Sequence, residues 1–435
     1  MKDRTMTTLA SPLVLPCGAT LPNRIAKAAM TERLADDRNR ATVRLERLYR
    51  LWSEGGAGLL ITGNVQVDRR HLEAAGNVAI DGQQDSDALA ALRRFAAAAT
   101  SAGSRCWMQL SHAGRQTPKA INSAPKAPSA IGVALPGGRF GLPVPLSGAE
   151  IEALVERFAQ AAVVARDTGF DGVQIHAAHG YLLSSFLSPR TNTRQDEWGG
   201  TLEGRARFLL EIVRRTRALV GADFPIAVKI NSADFQRGGF SSEDSLRVVQ
   251  WLDAAGVDLI EISGGTYEQP SMLKLAGLEP IHDPTLAEST RSREAYFQRF
   301  APAIRGSLTR ACLMVTGGFR SAAGMQAALA EDGIDVVGLA RPLCVDPAAP
   351  AALLSGSAAT LARWENRLQI GPGWLGPRSP FALVKMINAF GTQGWFYEQI
   401  KALADAGHAL PGRGLLSAMI ADQRAEAART AKLAP

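Results

Sequence analysis

Eight short apolar runs, each followed by a helical pattern except near the end, recur along most of this 435-residue chain, and that alternation limits the folds open to it. The runs, rich in Val, Ile and Leu, fall at residues 25–30, 58–62, 106–110, 172–175, 226–230, 259–262, 313–316 and 336–339. Helical patterns occupy 43–54, 87–102, 148–168, 202–220, 242–255, 291–304 and 322–330. Ser147, Thr201 and Ser241 stand where a side-chain oxygen can accept from the first free N–H groups of a helix. Gly169 and Gly256 stand where helices end, because glycine takes the left-handed conformation at little cost. Parallel neighbours of this kind need right-handed crossovers, and eight of them predict a closed (β/α)8 TIM barrel, an α/β fold. An open doubly wound sheet is the competing architecture, but no G-x-G-x-x-G follows the first run. The barrel is expected over residues 1–347. An alanine-rich helical extension packed on it is expected over 348–435, interrupted by the GPGWLGP stretch at 371–377.

Composition removes several function classes. Hydrophobic residues at 46% and charged residues at 20% are ordinary for a globular enzyme. No apolar run is long enough for a membrane helix. The opening MKDRTMTTLASPLVLP lacks the apolar centre of a secretory signal, so a cytoplasmic location is expected. The net charge of +7 is spread along the chain, which favours small anions slightly and argues against a nucleic-acid surface. Cys17, Cys106, Cys312 and Cys344 form no C-x-x-C pair, so a thiolate metal or iron–sulfur site is not expected.

In parallel α/β folds chemistry collects at the carboxyl ends of the strands. After the seventh run comes Thr316-Gly317-Gly318-Phe319-Arg320, and after the eighth Gly338-Leu339-Ala340-Arg341-Pro342. Small residues let backbone N–H groups approach a phosphate, and Arg341 adds a paired charge. Tight turns and a surface arginine would explain each loop alone; their pairing favours a phosphate site. Gln109 ends the third run, and its amide can both donate and accept along a uracil-like edge. Lys229 ends the fifth and could stabilise negative charge on a reduced ring. Past the first run, Thr31 offers a hydroxyl, and Ala28, Ala29 and Met30 offer backbone contacts. His176, His179 and Tyr181 follow the fourth run. Two neutral imidazoles could polarise a carbonyl or nitro oxygen while the phenol protonates the neighbouring carbon. Histidines packed under a loop, or a metal site completed by Asp171, are the rival readings; no metal is expected.

These pieces resemble the Old Yellow Enzyme family of FMN-dependent NADH:flavin oxidoreductases. The matching segments are LPNRIAKAAMTE at 21–32, GLLITGNVQV at 58–67, WMQLSHAGRQ at 107–116 and HAAHGYLLSSFLSPRTNTRQDEWGGTLEGRARF at 176–208. AVKINSADF at 227–235, VTGGF at 315–319 and VGLARPL at 337–343 complete the set, so the resemblance spans about residues 9–347. It implies an FMN-bearing barrel with NADPH or NADH as reductant, working by a ping-pong hydride exchange on the activated C=C bond of α,β-unsaturated carbonyl or nitro compounds. Catalysis would fall to Tyr181, His176 and His179. Cofactor contacts would fall to Ala28, Ala29, Met30, Thr31, Gly63, Gln109, Lys229, Gly317, Gly318, Ala340 and Arg341. A dehydrogenase or demethylase on the same barrel is the alternative within this chemistry, and a metal-dependent barrel hydrolase or lyase the alternative outside it. Small-molecule partners, no nucleic acid, no membrane and a possible homo-oligomer complete the expectation. Many members of the family carry proline in place of Ala29, and many carry arginine in place of Lys229; lysine keeps the charge and loses the planar fork.

Overall fold

The protein is described by a computed structural model over residues 7–135, 138–264 and 297–433. Eight parallel strands close on themselves: β1 (Ile25–Lys27), β2 (Leu59–Ile61), β3 (Arg105–Ser111), β4 (Gly172–Ala177), β5 (Ile226–Asn231), β6 (Leu259–Ser263), β7 (Cys312–Thr316) and β8 (Val336–Leu339). Each pairs with its neighbours in sequence, and β8 closes on β1 with Val337 opposite Ile25 and Leu339 opposite Lys27. The predicted α/β barrel is therefore present. Around it lie α1 (Val43–Glu54), α2 (Ser86–Thr100), α3 (Gly148–Asp167), the short α4 (Leu182–Leu187), α5 (Leu202–Val220), α6 (Ser242–Ala254), α7 (Ala301–Ser307) and α8 (Ala322–Glu331).

The local signals act as chemistry requires. Ser147 accepts from Glu150 N, and the Glu150 side chain accepts from Ser147 N, a reciprocal cap for α3. Thr201 and Ser241 accept from Gly204 N and Asp244 N at the starts of α5 and α6. Gly169 and Gly256 are left-handed, with φ of +92° and +85°. Two elements differ from expectation by more than two residues. The first strand stops at Lys27: Ala28 N still donates to Leu339 O, and the chain then leaves the ladder. The helix expected over 291–304 falls partly outside the described residues; what is described begins with a 3₁₀ turn, Gln298–Phe300, that leads into α7.

Period-two alternation divides the strand residues between two cores. Ile25, Leu60, Met108, Ile175, Val228, Ile260, Leu313 and Val337 face the helices, whereas Ala26, Leu59, Ile61, Trp107, Ala227, Leu259, Met314 and Val336 pack in the second core. The two-residue strands Leu13–Val14 and Thr20–Leu21 pair antiparallel, and Leu13, Leu15 and Leu21 join that second core.

After β8 the chain continues through α9 (Ala349–Ser355), α10 (Ala382–Ala406) and α11 (Leu415–Thr430). Trp395 is fully buried and donates from Nε1 to Arg413 O at 2.8 Å. Arg33, just past β1 and left-handed at φ +58°, reaches Asp422 at 3.3 Å and Glu426 at 3.8 Å and lies over the Tyr397 ring. Arg44 of α1 meets Asp405 through two bonds of 2.6 and 2.7 Å. These ion pairs tie the last helices to α1 and to the turn leaving β1.

One buried cation stands outside the apolar pattern. Lys27 is fully buried beneath α1, donating to Tyr49 Oη at 3.0 Å and Ile61 O at 2.6 Å, with its ammonium 4.5 Å from the Trp52 ring centroid. Burial pushes its ammonium down to about 8, against the attraction of Glu32. An unfolded lysine keeps its proton to about pH 10.4. Between those values the unfolded chain holds more protons at this site, so Lys27 adds stability as pH rises. Burial raises all four thiols, which acts in the opposite sense at alkaline pH, so the contrast with a variant isolates the lysine. Denaturant unfolding at pH 7 and pH 10 should show wild type gaining about 2 kcal/mol relative to Lys27→Met across that interval. A constant difference between the two proteins would refute the buried charge.

Candidate active site

The carboxyl ends of the strands bring most of the expected residues to one mouth. Gln109, His176 and Lys229 lie on β3, β4 and β5, all buried, and His176 stands directly opposite Lys229 in the ladder. Tyr181, buried at the start of α4, has its ring centroid 4.9 Å from that of His176. Thr31, Gly317, Gly318, Ala340 and Arg341 are half-buried around the same rim, with Ala29 and Met30, while Ala28 and Gly63 are buried.

The histidines belong to one continuous hydrogen-bonded chain whose direction can be worked out. Glu73 can only accept when ionised, and its Oε2 takes Thr31 Oγ1 at 2.7 Å and Asn64 Nδ2 at 3.1 Å. The Asn64 amide is thereby oriented with Oδ1 towards His176 Nδ1, 3.0 Å away, so that Nδ1 carries a proton and donates. His176 Nε2 then accepts, and His179 Nδ1 donates to it at 3.0 Å. His179 Nε2 is left to accept from Ser263 Oγ at 2.6 Å, while Asn231 Oδ1 accepts from His179 N. His179 is left-handed, φ +63°, which an Asn side chain at its amide helps to hold. Both rings are neutral: burial, then His179 and Lys229, hold His176 well below the usual range, and burial, then Lys229, pushes His179 down to about 3.

A second polar chain crosses the barrel from β3 to β6. Gln109 Nε2 donates to Gln174 Oε1 at 2.7 Å, Gln174 Nε2 donates to Glu261 Oε2 at 2.7 Å, and Lys229 Nζ lies 2.8 Å from Glu261 Oε1. Gln174 and Glu261 are fully buried and had no place in the sequence reading. Their signal was present: Gln174 is two residues before His176, and Glu261 stands alone in LIEIS, both in phase with the inward positions. Asn64, Glu73, Asn231 and Ser263 were missed as well: Asn64 and Asn231 lie within the quoted segments 58–67 and 227–235 without being singled out, and Glu73 and Ser263 lie outside every segment.

The rim at β7 and β8 fits the phosphate end of a flavin mononucleotide. Thr316 Oγ1 is buried without a hydrogen-bond partner, and Gly317 and Gly318 are both left-handed at φ +109° and +94°. A side chain at Gly338 would meet Thr316 Oγ1 at 1.9 Å, so the backbone must stay bare there. Burial holds Arg320 below its ordinary range despite Glu365, and Arg341 and Arg363 push the same way, an arrangement that an anion would relieve. The Gly63 N–H donates to Glu32 Oε1 at 2.8 Å.

Two metal readings weaken. Asp171 precedes β4, where it accepts from Cys106 N and Arg105, so it sits roughly 16 Å along the strand from His176. Among the described residues Asp68, His71 and His112 form a buried ligand-like group. However, His71 Nε2 accepts from Lys126 N and His112 Nδ1 from Gly114 N, so in the neutral rings His71 Nδ1 and His112 Nε2 carry the protons and present no lone pair to a cation. Burial works to raise the Asp68 carboxyl, but hydrogen bonds from His71 and Arg70 outweigh it and hold it far below the carboxylate range.

A barrel whose mouth joins an amide, a buried lysine, neutral histidines and an anion-ready glycine rim has the makeup of a flavin-dependent oxidoreductase. The comparisons with known proteins agree. The family described as NADH:flavin oxidoreductase / NADH oxidase matches residues 9–358, and the chain belongs to it. The chain is 38% identical over 354 residues to the NADH-dependent flavin oxidoreductase iliE of Hypocrea jecorina, covering 78% of this chain and 87% of the relative. It is 39% identical over 354 residues to the iliE protein of Neonectria sp., again across 78% of this chain but only 46% of that relative's length. Among solved structures, morphinone reductase superposes with a TM-score of 0.65 at 26% identity, over 82% of this chain and 92% of the other. The resemblance to the Old Yellow Enzyme family is thus borne out.

The hydrogen-bond direction can be checked by ¹⁵N spectroscopy of the imidazoles. His176 and His179 should both appear as the neutral Nδ1–H form and remain so from pH 8 to 5. A proton on His176 Nε2, or titration of either ring near 6.5, would overturn the assignment.

Proposed function

We propose that the protein is an FMN-dependent, NADH-driven reductase of carbon–carbon double bonds activated by a carbonyl or nitro group. The observation that carries this reading is the grouping of His176, His179 and Tyr181 at the end of β4, beside Gln109 and Lys229. FMN, when bound, supplies the two-electron chemistry, taking a hydride from nicotinamide and giving it to the alkene carbon β to the activating group. Gln109 would hold the pyrimidine edge, Lys229 the negative charge that reduction leaves, and Gly317, Gly318, Ala340 and Arg341 the phosphate. Thr31 and the backbone of residues 28–30 would line the other side of the ring, and Gly63 would close it below. NADH is preferred over NADPH because the relatives bear NADH-dependent names. Residues 348–435 act as an extension that braces the turn after β1.

Substrate binding must redirect one hydrogen bond. His179 Nδ1–H is held by His176 Nε2, so a substrate oxygen would take that donor by displacing His176 as acceptor. Its acidity is tempered by burial, which keeps a neutral N–H there rather than an imidazolium. Tyr181, buried against His176, would deliver the proton to the carbon α to the activating group. Nicotinamide and alkene would occupy the same face in turn, which gives ping-pong kinetics. The dehydrogenase reading has no comparable need for a proton donor. Morphinone reductase, a reductase by name, is in keeping with the same sense of reaction.

The test begins with an anaerobic absorbance titration by NADH, followed by cyclohexenone. Flavin bands should bleach and then return. Tyr181→Phe should leave the NADH step within about twofold while slowing reoxidation by the enone by about 10²–10⁴. Equal loss in both half-reactions would remove the proton-donor role, and a purified protein that neither holds nor takes up FMN would sink the whole reading.

A further inference from the structure

We propose that Glu261 sets the electrical and hydrogen-bond polarity of the flavin floor, so that Lys229 stabilises the reduced ring less than a free cation would. The inference rests on the flavin reading above and goes beyond it by naming a residue that never needs to touch the cofactor. Glu261 is fully buried on β6, in ladder register with Lys229 on β5, and its Oε1 is 2.8 Å from Lys229 Nζ. A buried unit charge this close to its opposite cancels most of the field that either exerts at longer range. Lys229 is the cation placed to meet charge developing on a reduced ring, and Glu261 moderates it from the barrel interior.

Hydrogen-bond direction across the barrel depends on the same carboxylate. An ionised carboxylate can only accept, so Glu261 Oε2 obliges Gln174 to present Nε2, at 2.7 Å. Gln174 Oε1 must then face Gln109, which presents its own Nε2 at 2.7 Å. Gln109 Oε1 is thereby left as an acceptor, the group that a pyrimidine N3–H requires. One carboxylate therefore fixes two amides in the orientation suited to an oxidised, N3-protonated ring, and tempers the cation that favours the reduced one. Placing Glu261 in the middle of an otherwise apolar strand carries a desolvation cost, which the Lys229 pair and the Gln174 hydrogen bond offset.

Two-electron reduction by hydride adds one negative charge to the ring system without adding a second proton. Removing the Glu261 charge should favour that state, and removing Lys229 should disfavour it. The experiment is reduction of the FMN-loaded protein against a reference dye, together with sulfite titration of the oxidised form, since sulfite addition also leaves negative charge on the ring. Glu261→Gln should shift the reduction equilibrium about tenfold towards the reduced flavin, about 30 mV for two electrons. It should also tighten sulfite binding by about tenfold. Lys229→Met should move both in the opposite direction. Glu261→Asp, which keeps the charge but withdraws it by one methylene, should give a smaller rise than Glu261→Gln, and it decides the matter if the latter does not fold. Bound FMN with a potential and sulfite affinity in the Glu261 variants equal to or below wild type would overturn the proposal while leaving the flavin reading intact. Wild-type protein that holds no FMN would instead overturn the reading on which it rests.

Discussion

Closure of the parallel ladder is the constraint on which everything else depends. Once β8 pairs with β1 no strand of the barrel has a free edge, and each inward side chain has a fixed height in it. Register then turns sequence phase into geometry. His176, Lys229 and Glu261 are adjacent rungs of one ladder, and Gln109 stands opposite Gln174. Lower rungs such as Trp107, Ala227 and Leu259 are apolar and fill the interior, which leaves the polar rungs at a single end. The chemistry is therefore localised by backbone pairing before any side-chain contact is made.

The same phase explains how much could be read beforehand. All eight strands and the capped starts of α3, α5 and α6 followed from apolar runs and Ser or Thr caps, because those signals are local. His176, His179, Gln109 and Lys229 stood out because they lie near the ends of apolar runs and within the segments that carry the family resemblance. Gln174 and Glu261, at the same height in their runs, belong to none of those segments, and only the partner strands reveal what they meet. Lys27 was hidden in the same way: IAK reads as a strand, and only α1, bringing Tyr49 and Trp52, makes the position a buried cation site. Of the helix expected over 291–304, the described part is a 3₁₀ turn followed by α7 from Ala301, with Pro302 inside the first turn where its missing N–H is harmless.

The last two long helices show how a segment without motifs can still bear on a site. Arg33 follows Thr31 and Glu32 in the turn that leaves β1, and it is held by Asp422 and Glu426 of α11 and the Tyr397 ring of α10. Glu32 in turn receives Gly63 N, and Tyr49 donates to the same carboxylate, linking the ends of β1 and β2 to α1. A guanidinium enclosed in this way resists displacement because uncovering one partner leaves a buried charge unpaired. The turn carrying Thr31 is thus fixed from behind by residues more than three hundred positions away.

Two acceptor-only groups govern the polarity of the mouth. Glu73 orients Asn64 and, through it, both imidazoles; Glu261 orients Gln174 and, through it, Gln109. Neither carboxylate belongs to the strand-end motifs, yet each removes the ambiguity that amides and imidazoles would otherwise have, since those groups can present either a donor or an acceptor. Asn64 and Gln109 are alike in this respect, and a glutamine in place of either carboxylate would let the whole row reverse. A buried carboxylate that fixes direction is worth its desolvation where the far end of the row must offer one polarity and not the other. For the histidine row that end is Ser263 Oγ, whose proton goes to His179 Nε2, and for the glutamine row it is Gln109 Oε1, so both rows end in an acceptor.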